Sequence, residues 1–429
     1  MSKKNDKIGF LEATSIGIGG MVGGGIFAVL GLAVSMARGG TLVAFAIAGA
    51  IALITAYAYV KLSVALPGPG GTVSYLDKAY GKGALTGTLN VLLWLSYIVM
   101  LSLYAYAFGS YGATFFPETM QPLARHGLIS GIILVIAVLN AFSADLIGRA
   151  EDLIVGLKLL ILLIFIGTGV AGIDPARLAP AAWSPALNVV AGGMIIFLAY
   201  EGFELIANTA ADVRNPSDTL PRAFYTAVIG VIVLYLLVAA VTVGNLPLEK
   251  IIQARDYALA AAAEPFLGQS GFTLIAIAAL LSTASAINAT VYGAARLSFI
   301  IARDGELPEL LEKKIWHKPL EGLIFTALAT LVVANTLNLS SISTVGSAGF
   351  LLIFAAVNGA NVRLHERTGA RRWLSILGVI ACLGALGALV WRTALTGPSR
   401  LCILAGMPVA AAAIEYSYRF FRRRHSATF

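Results

Sequence analysis

The first apolar segment of the chain carries, at residues 17–27, the sequence GIGGMVGGGIF, in which six of the nine positions from 17 to 25 are glycine. Each glycine inside a helix costs about 1 kcal/mol relative to alanine. A continuous helix is therefore not expected here, although the residues on both sides are apolar enough for one. The stretch predicts a helix that is interrupted near its middle.

A second apolar segment has a comparable anomaly. Residues 197–204 read FLAYEGFE, so that Glu201, Gly202 and Glu204 lie near the middle of an otherwise apolar run. Gly23 and Gly202 are 179 positions apart. The two interruptions lie in the first and the sixth apolar segments, which are the first members of two successive sets of five. This pattern is typical of inverted-repeat transporters with a binding site near the middle of the membrane.

The composition requires a largely lipid environment. Of 429 residues, 58% are hydrophobic and 12% are charged, and the mean hydropathy is +0.85. The charged share is about half of that usual for soluble domains, which excludes an ordinary soluble protein. We therefore interpret the chain as an all-α integral membrane protein.

Apolar runs separated by charges or by Pro and Gly predict twelve transmembrane helices. Their approximate bounds are 9–37, 41–66, 84–115, 127–143, 151–172, 186–213, 222–244, 270–301, 320–337, 342–361, 373–392 and 399–420. The first ten are expected to form two inverted repeats, over about 9–172 and 186–361, and the last two, within 373–420, are additional. Residues 1–429 are thus predicted to form a single transmembrane domain.

The distribution of Lys and Arg predicts the orientation of the chain. An even number of spans puts both termini on one side, and that side receives 22 of the 30 basic residues against 7 on the other. Positive residues accumulate on the cytoplasmic side of membrane proteins. We therefore expect a multi-pass protein of the cell membrane with both termini in the cytoplasm, and the remaining cation, Lys158, lies well inside a span.

Several classes of function are excluded by what the sequence lacks. Cys382 and Cys402 lie in apolar runs and the four histidines are scattered, so no metal or redox cofactor is expected. The basic residues punctuate the apolar runs instead of forming one basic domain, which argues against a nucleic-acid partner. No nucleophile–base pair is recognisable at membrane depth, so an enzyme is not expected. The sequence does not indicate an oligomeric state.

The interruptions suit a zwitterionic ligand. A broken helix presents free carbonyls before the break and free N–H groups after it. We expect the N–H groups near Gly24 and Gly25 to bind the carboxylate of an amino acid, and carbonyls near Met21, Leu198 and Glu201 to bind its ammonium. The predicted substrate-binding residues are Met21, Val22, Gly23, Gly24, Gly25, Phe197, Leu198, Tyr200 and Glu201.

Packing alone is the alternative explanation for parts of this pattern. Glycines spaced by four residues also allow two helices to approach closely. Phe197, Tyr200 and Phe203, at helical spacing, are also compatible with ordinary core packing. Glu201 can instead face an aqueous vestibule.

Four stretches, in this order and spacing, carry a resemblance to a known family: GGGIF at 23–27, LPGPGGTVSY at 66–75, YEGFE at 200–204 followed by Asn215-Pro216 and residues 221–223, and ARDGELP at 302–308. From end to end the chain resembles the amino acid-polyamine-organocation (APC) transporters. The resemblance implies a sodium-symporter-like fold of five plus five helices with two extra helices, and the uptake or exchange of amino acids. It is closest to proton-coupled prokaryotic members with a lysine on the fifth helix. One departure is Gly24, where the family often has a serine, so that backbone N–H groups alone would hold the carboxylate.

The resemblance also assigns the coupling residues. It implies that the Lys158 ammonium replaces a bound cation, held by carbonyls of the first span and by the hydroxyl of Ser282 or Ser285 on the eighth. Removal from water disfavours the charged ammonium, so such a lysine can carry a proton. Snorkelling of Lys158 to the cytoplasmic surface is the alternative. Glu204 is interpreted as a second proton site or gate residue.

These observations predict proton-coupled symport of neutral amino acids with broad specificity, with the proton as coupling ion and no other cofactor. An exchanger that uses the same site is the alternative. Glu201 and Glu204 leave a cationic substrate open, whereas paired interruptions favour an occluding site over the continuous pore of a channel.

Overall fold

The computed structural model describes residues 7–68, 70–142, 144–303, 305, 320–396 and 398–426, with side chains described except at 142–152, 398–400 and 421–426. Pro69 and most of the 302–308 motif therefore lie outside the described residues. The helices are α1 (Phe10–Met21), α2 (Gly25–Ala37), α3 (Thr41–Ala65), α4 (Gly71–Tyr80), α5 (Ala84–Ala113), α6 (Gln121–Phe142), α7 (Ala144–Gly169), α8 (Pro175–Leu178), α9 (Ala186–Ile195), α10 (Leu205–Asn208), α11 (Pro216–Asn245), α12 (Leu248–Gln253), α13 (Ala258–Arg303), α14 (Leu320–Thr336), α15 (Leu339–Arg363), α16 (His365–Thr368), α17 (Arg372–Thr396) and α18 (Pro398–Ser426).

The all-helical prediction is confirmed over the described ranges, which contain no regular strand. Within them, ten helical segments are long and apolar enough to cross a membrane, and the bent pair α1 and α2 supplies one more. The 17-residue apolar helix α14 is shorter. The count of twelve spans and the inverted repeat remain predictions.

Helices α11 and α13 are among those that begin earlier than the sequence predicts. Helix α11 begins at Pro216, six residues before the predicted start, because proline is favoured at the first helical position, where no N–H is needed. Helix α13 begins at Ala258 and is interrupted at Gly268, whose φ is +63°. The predicted span from 270 corresponds to the part of α13 after this interruption.

The helices differ in how deeply they are buried, and this places the centre of the fold. In the most apolar 18-residue stretch of α5, 89% of the residues are buried, and the same value holds for the segment 186–208. In the most apolar stretch of α6 only 17% of the residues are buried, and in that of α17 28% are buried. Helix α5 and the segment 186–208 therefore form the centre, whereas α6 and α17 expose apolar side chains at the periphery.

Candidate functional site

The first interruption is confirmed. Helices α1 and α2 meet at an angle of 44°, and the residues between them, 22–24, form a turn. Gly24 is the N-cap of α2, and it has no side chain that could cap this helix. Backbone N–H groups at the start of a helix, which have no partner within it, therefore lie where the sequence predicts a carboxylate site.

The second interruption is also confirmed. Helix α9 gives way to a 3₁₀-helix at Ile196–Tyr200, Glu201 is extended with ψ of 154°, and the short helix α10 begins only at Leu205. Gly202 has φ of +116°, a backbone conformation that residues with a Cβ rarely adopt. The chain therefore crosses the centre of the molecule without a continuous helix.

The two interruptions touch through their backbones. A Cβ on Gly202 would lie 2.5 Å from the carbonyl carbon of Gly20, and one on Gly25 would lie 2.7 Å from the Cα of Ala199. Close packing through glycine, which was the alternative interpretation, is therefore observed. The segments that it brings together are the two broken ones. The backbone groups at both breaks are brought into one place.

The absence of a side chain at position 24 has a steric reason. A Cβ there would lie 2.3 Å from Cδ1 of Tyr104 on α5. The space that a serine side chain needs is filled by this aromatic ring. The absence of the serine that the family resemblance implies at position 24 thus accompanies the bulk of Tyr104.

Lys158 is buried in the interior instead of extending to a surface. Its side chain is 1% exposed, and Nζ donates a hydrogen bond of 3.1 Å to the carbonyl of Gly19 on α1. Ser282 on α13 donates to the carbonyl of Val22 at 2.7 Å and also contacts the carbonyl of Gly23. In the described part of the chain it is Ser282, not Ser285, whose hydroxyl reaches the first break. The Nζ of Lys158 on α7 therefore holds a carbonyl of α1, and the hydroxyl of Ser282 on α13 holds carbonyls of the first break.

The two glutamates of the second break lie against each other and differ in their partners. Glu204 accepts hydrogen bonds from its near neighbour Gly202 N–H at 2.8 Å and from the Tyr97 hydroxyl at 3.1 Å. Glu201 is 2% exposed and interacts electrostatically with Glu204, and its Oε1 has no hydrogen-bond partner among the described residues. Both carboxyl groups are inside the protein, so neither faces a wide vestibule.

The aromatic residues of the second break pack against residues of neighbouring helices. The Tyr200 hydroxyl donates to the Phe45 carbonyl on α3 at 3.0 Å. The rings of Phe197 and Phe203 lie 5.8 Å and 5.4 Å from that of Phe354 on α15. These contacts favour the packing interpretation of the aromatic residues.

Tyr235 on α11 links both breaks and was not predicted from the sequence. Its hydroxyl lies 2.7 Å from the carbonyl of Met21 and 3.2 Å from that of Ala199. Met21 is one of the carbonyls that we expect to bind a substrate ammonium, so the tyrosine hydroxyl occupies that acceptor here. The available signal was weak: Tyr235 is the one polar side chain between Thr226 and Thr242.

A cavity lies along α1, on the side of the first break where α1 ends. It has a volume of about 360 Å³, and its lining includes Glu12, Gly20, Val155, Asn208 and Arg296. Val155 lies one helical turn before Lys158 on α7. The cavity therefore reaches the residue that follows Gly19, whose carbonyl Lys158 holds.

A comparison with models of known protein families identifies the family of this chain. The model of the family described as "Amino acid permease" matches residues 8–413. The chain belongs to the amino acid permease family. The resemblance to APC transporters is thereby confirmed.

Relatives of this permease are named as transporters. The inner membrane transport protein YbaT of Escherichia coli is 35% identical over 382 residues, which cover 88% of each chain. An uncharacterized protein of Methanocaldococcus jannaschii is 36% identical over 395 residues, covering 91% of this chain and 90% of the relative. The branched-chain amino acid permease BcaP of Lactococcus lactis is 26% identical over 417 residues, covering 87% and 86%.

These findings make the permease a multi-pass membrane transporter of amino acids and not an enzyme.

Proposed function

We propose that this permease is a proton-coupled symporter of neutral amino acids, in which Lys158 carries the proton. The observation that carries the proposal is the bond from the Lys158 Nζ to the Gly19 carbonyl, three residues before the first break begins. A charge-assisted hydrogen bond is stronger than a neutral one. Protonation of Lys158 therefore tightens its hold on α1, and loss of the proton weakens it.

The substrate is proposed to bind between the two breaks. Its carboxylate takes the N–H groups of Gly24 and Gly25 at the start of α2, where the helix dipole favours a negative charge. Its ammonium takes the carbonyl of Met21 and displaces the Tyr235 hydroxyl from that acceptor. The tyrosine retains the Ala199 carbonyl, 3.2 Å away, as its partner.

The cavity supports a route of release. In the proposed orientation the part of the cavity lined by Glu12 and Arg296 faces the cytoplasm. A proton that leaves Lys158 can pass to water in this cavity, since Val155 in its lining lies one turn away. Once the Lys158–Gly19 bond weakens, α1 is free to separate from α7 and to release the substrate on the same side.

A neutral substrate is supported by the hydrogen-bond partners of Glu204 and by one relative. Glu204 is already engaged by Tyr97 and Gly202, and BcaP is named for branched-chain amino acids. Exchange between internal and external amino acids uses the same site and is the competing function.

Uptake into substrate-free vesicles separates symport from exchange. We expect purified permease in proteoliposomes to accumulate alanine when the outside is more acidic than the lumen, with no amino acid inside. Matched vesicles preloaded with alanine are the control. If uptake occurs only in the preloaded vesicles, the protein is an exchanger and the symport proposal is wrong.

A further inference from the structure

Helix α15 presents three residues to the second break that no part of the proposed mechanism uses. Ser343 donates a hydrogen bond of 2.6 Å to the Ile195 carbonyl, the last of α9. Ser347 donates to the same carbonyl at 3.0 Å and accepts the N–H of Leu198 at 3.1 Å. The third residue, Gly346, lies against the side chain of Leu198.

These contacts replace the backbone bonds that α9 loses where it ends. A helix terminus leaves carbonyls and N–H groups without partners, and each must be satisfied when it is buried. Two serines, one turn apart on α15, do this for Ile195 and Leu198. The N–H of Leu198, in the 3₁₀-helix that follows α9, is therefore held by α15.

The side chain of Leu198 is located by the same helix. A Cβ on Gly346 would lie 2.7 Å from Cδ2 of Leu198 and 3.2 Å from Cγ1 of Val99. The first of these atoms is the end of a side chain, so an added methyl group would move Leu198 before it moved any backbone. Leu198 fills the space that the missing side chain of Gly346 leaves.

We infer that Ser343, Gly346 and Ser347 set the position of Leu198 and thereby determine which amino acid side chains the permease accepts. The inference rests on the proposed binding of the substrate between the two breaks. Leu198 belongs to the second break, where the substrate's side chain needs an apolar wall. The three α15 residues are positioning residues, since they act through Leu198.

Substitution of Gly346 tests the inference through selectivity. We expect Gly346→Ala to displace Leu198 from α15 into the binding space and to lower the ratio of kcat/KM for leucine to that for alanine about tenfold, the usual effect of one methyl group in an apolar pocket. The measurement is uptake of each amino acid into proteoliposomes. Gly387→Ala on α17, where a Cβ meets no atom within 4 Å, is the matched control.

Substitution of Ser347 tests the backbone contact independently. Ser347→Ala removes the hydrogen bonds to the Ile195 carbonyl and the Leu198 N–H. We expect it to raise the KM for alanine and leucine about tenfold with little change in kcat, because the lost contacts stabilise the bound substrate and the transition state equally. Ser347→Thr retains the hydroxyl and should restore KM. Thr344→Val is the control, because the Thr344 hydroxyl donates to Ser340 in its own helix.

Melting temperatures of the purified variants distinguish positioning from simple packing. If both α15 variants melt lower but keep the wild-type KM values and selectivity ratio, the inference is wrong. Absence of alanine and leucine uptake by the wild-type protein would instead contradict the proposed function, and the selectivity role with it.

Discussion

Lys158→Ala is expected to retain amino acid binding and to lose accumulation driven by a pH gradient. The proposed substrate contacts are backbone groups at the two breaks, which this substitution leaves in place. The titratable group that holds the Gly19 carbonyl is removed. Uptake along the substrate gradient should continue, whereas concentrative uptake should fall to the level of protein-free vesicles.

The arginine variant makes the same test without removing the charge. Lys158→Arg keeps a cation near α1, but a guanidinium does not release its proton at any accessible pH. We therefore expect it to fail at coupling as the alanine variant does. Lys78→Ala, at an exposed position on α4, is the control for handling of the protein. Full pH-driven accumulation by Lys158→Arg would rule out Lys158 as the proton carrier.

Gly202→Ala is expected to be the most destabilising of the substitutions considered. Alanine is strained at φ of +116°, which costs about 1–3 kcal/mol. Its Cβ would also overlap the backbone of Gly20, which cannot rotate away as a side chain can. Overpacking of this kind adds about 1–3 kcal/mol, so the total loss is about 2–6 kcal/mol.

The measurement is the melting temperature and the yield of monodisperse protein in detergent. Gly230→Ala on α11 is the matched control, since a Cβ there meets nothing within 4 Å. The control should melt close to the wild type or slightly above it, because alanine favours helix. A wild-type melting temperature for Gly202→Ala would show that the two breaks do not approach each other as described.

The parts of the site that were predictable have local signals. Glycine is costly in a helix and carboxylates are costly in an apolar run, so both breaks are visible in short stretches of sequence. The burial of Lys158 follows from its place inside an apolar span, and the contact of Ser282 was one of two options that the family resemblance implied. Ser285, three residues away, was the other option, and the choice depended on the rotation of α13, which sequence spacing does not fix.

The parts that were missed depend on packing between distant segments. Tyr104 and Tyr235 each lie in an apolar helix whose sequence does not distinguish them. Their contacts with the first break arise because α5 and α11 pack against it. Ser343 and Ser347 reach across about 150 positions to Ile195. Their only local signal is the polar run at 340–347, which is unusual for a helix that faces lipid.

Proton movement caused by the substrate tests the central claim most directly. Proteoliposomes with equal pH on both sides, a pH-sensitive dye inside and no membrane potential are given external alanine. The account predicts that the lumen becomes acidic as alanine enters through the wild-type permease, and that it does not with Lys158→Ala. Alanine entry through the wild type without any change in internal pH would contradict proton-coupled symport.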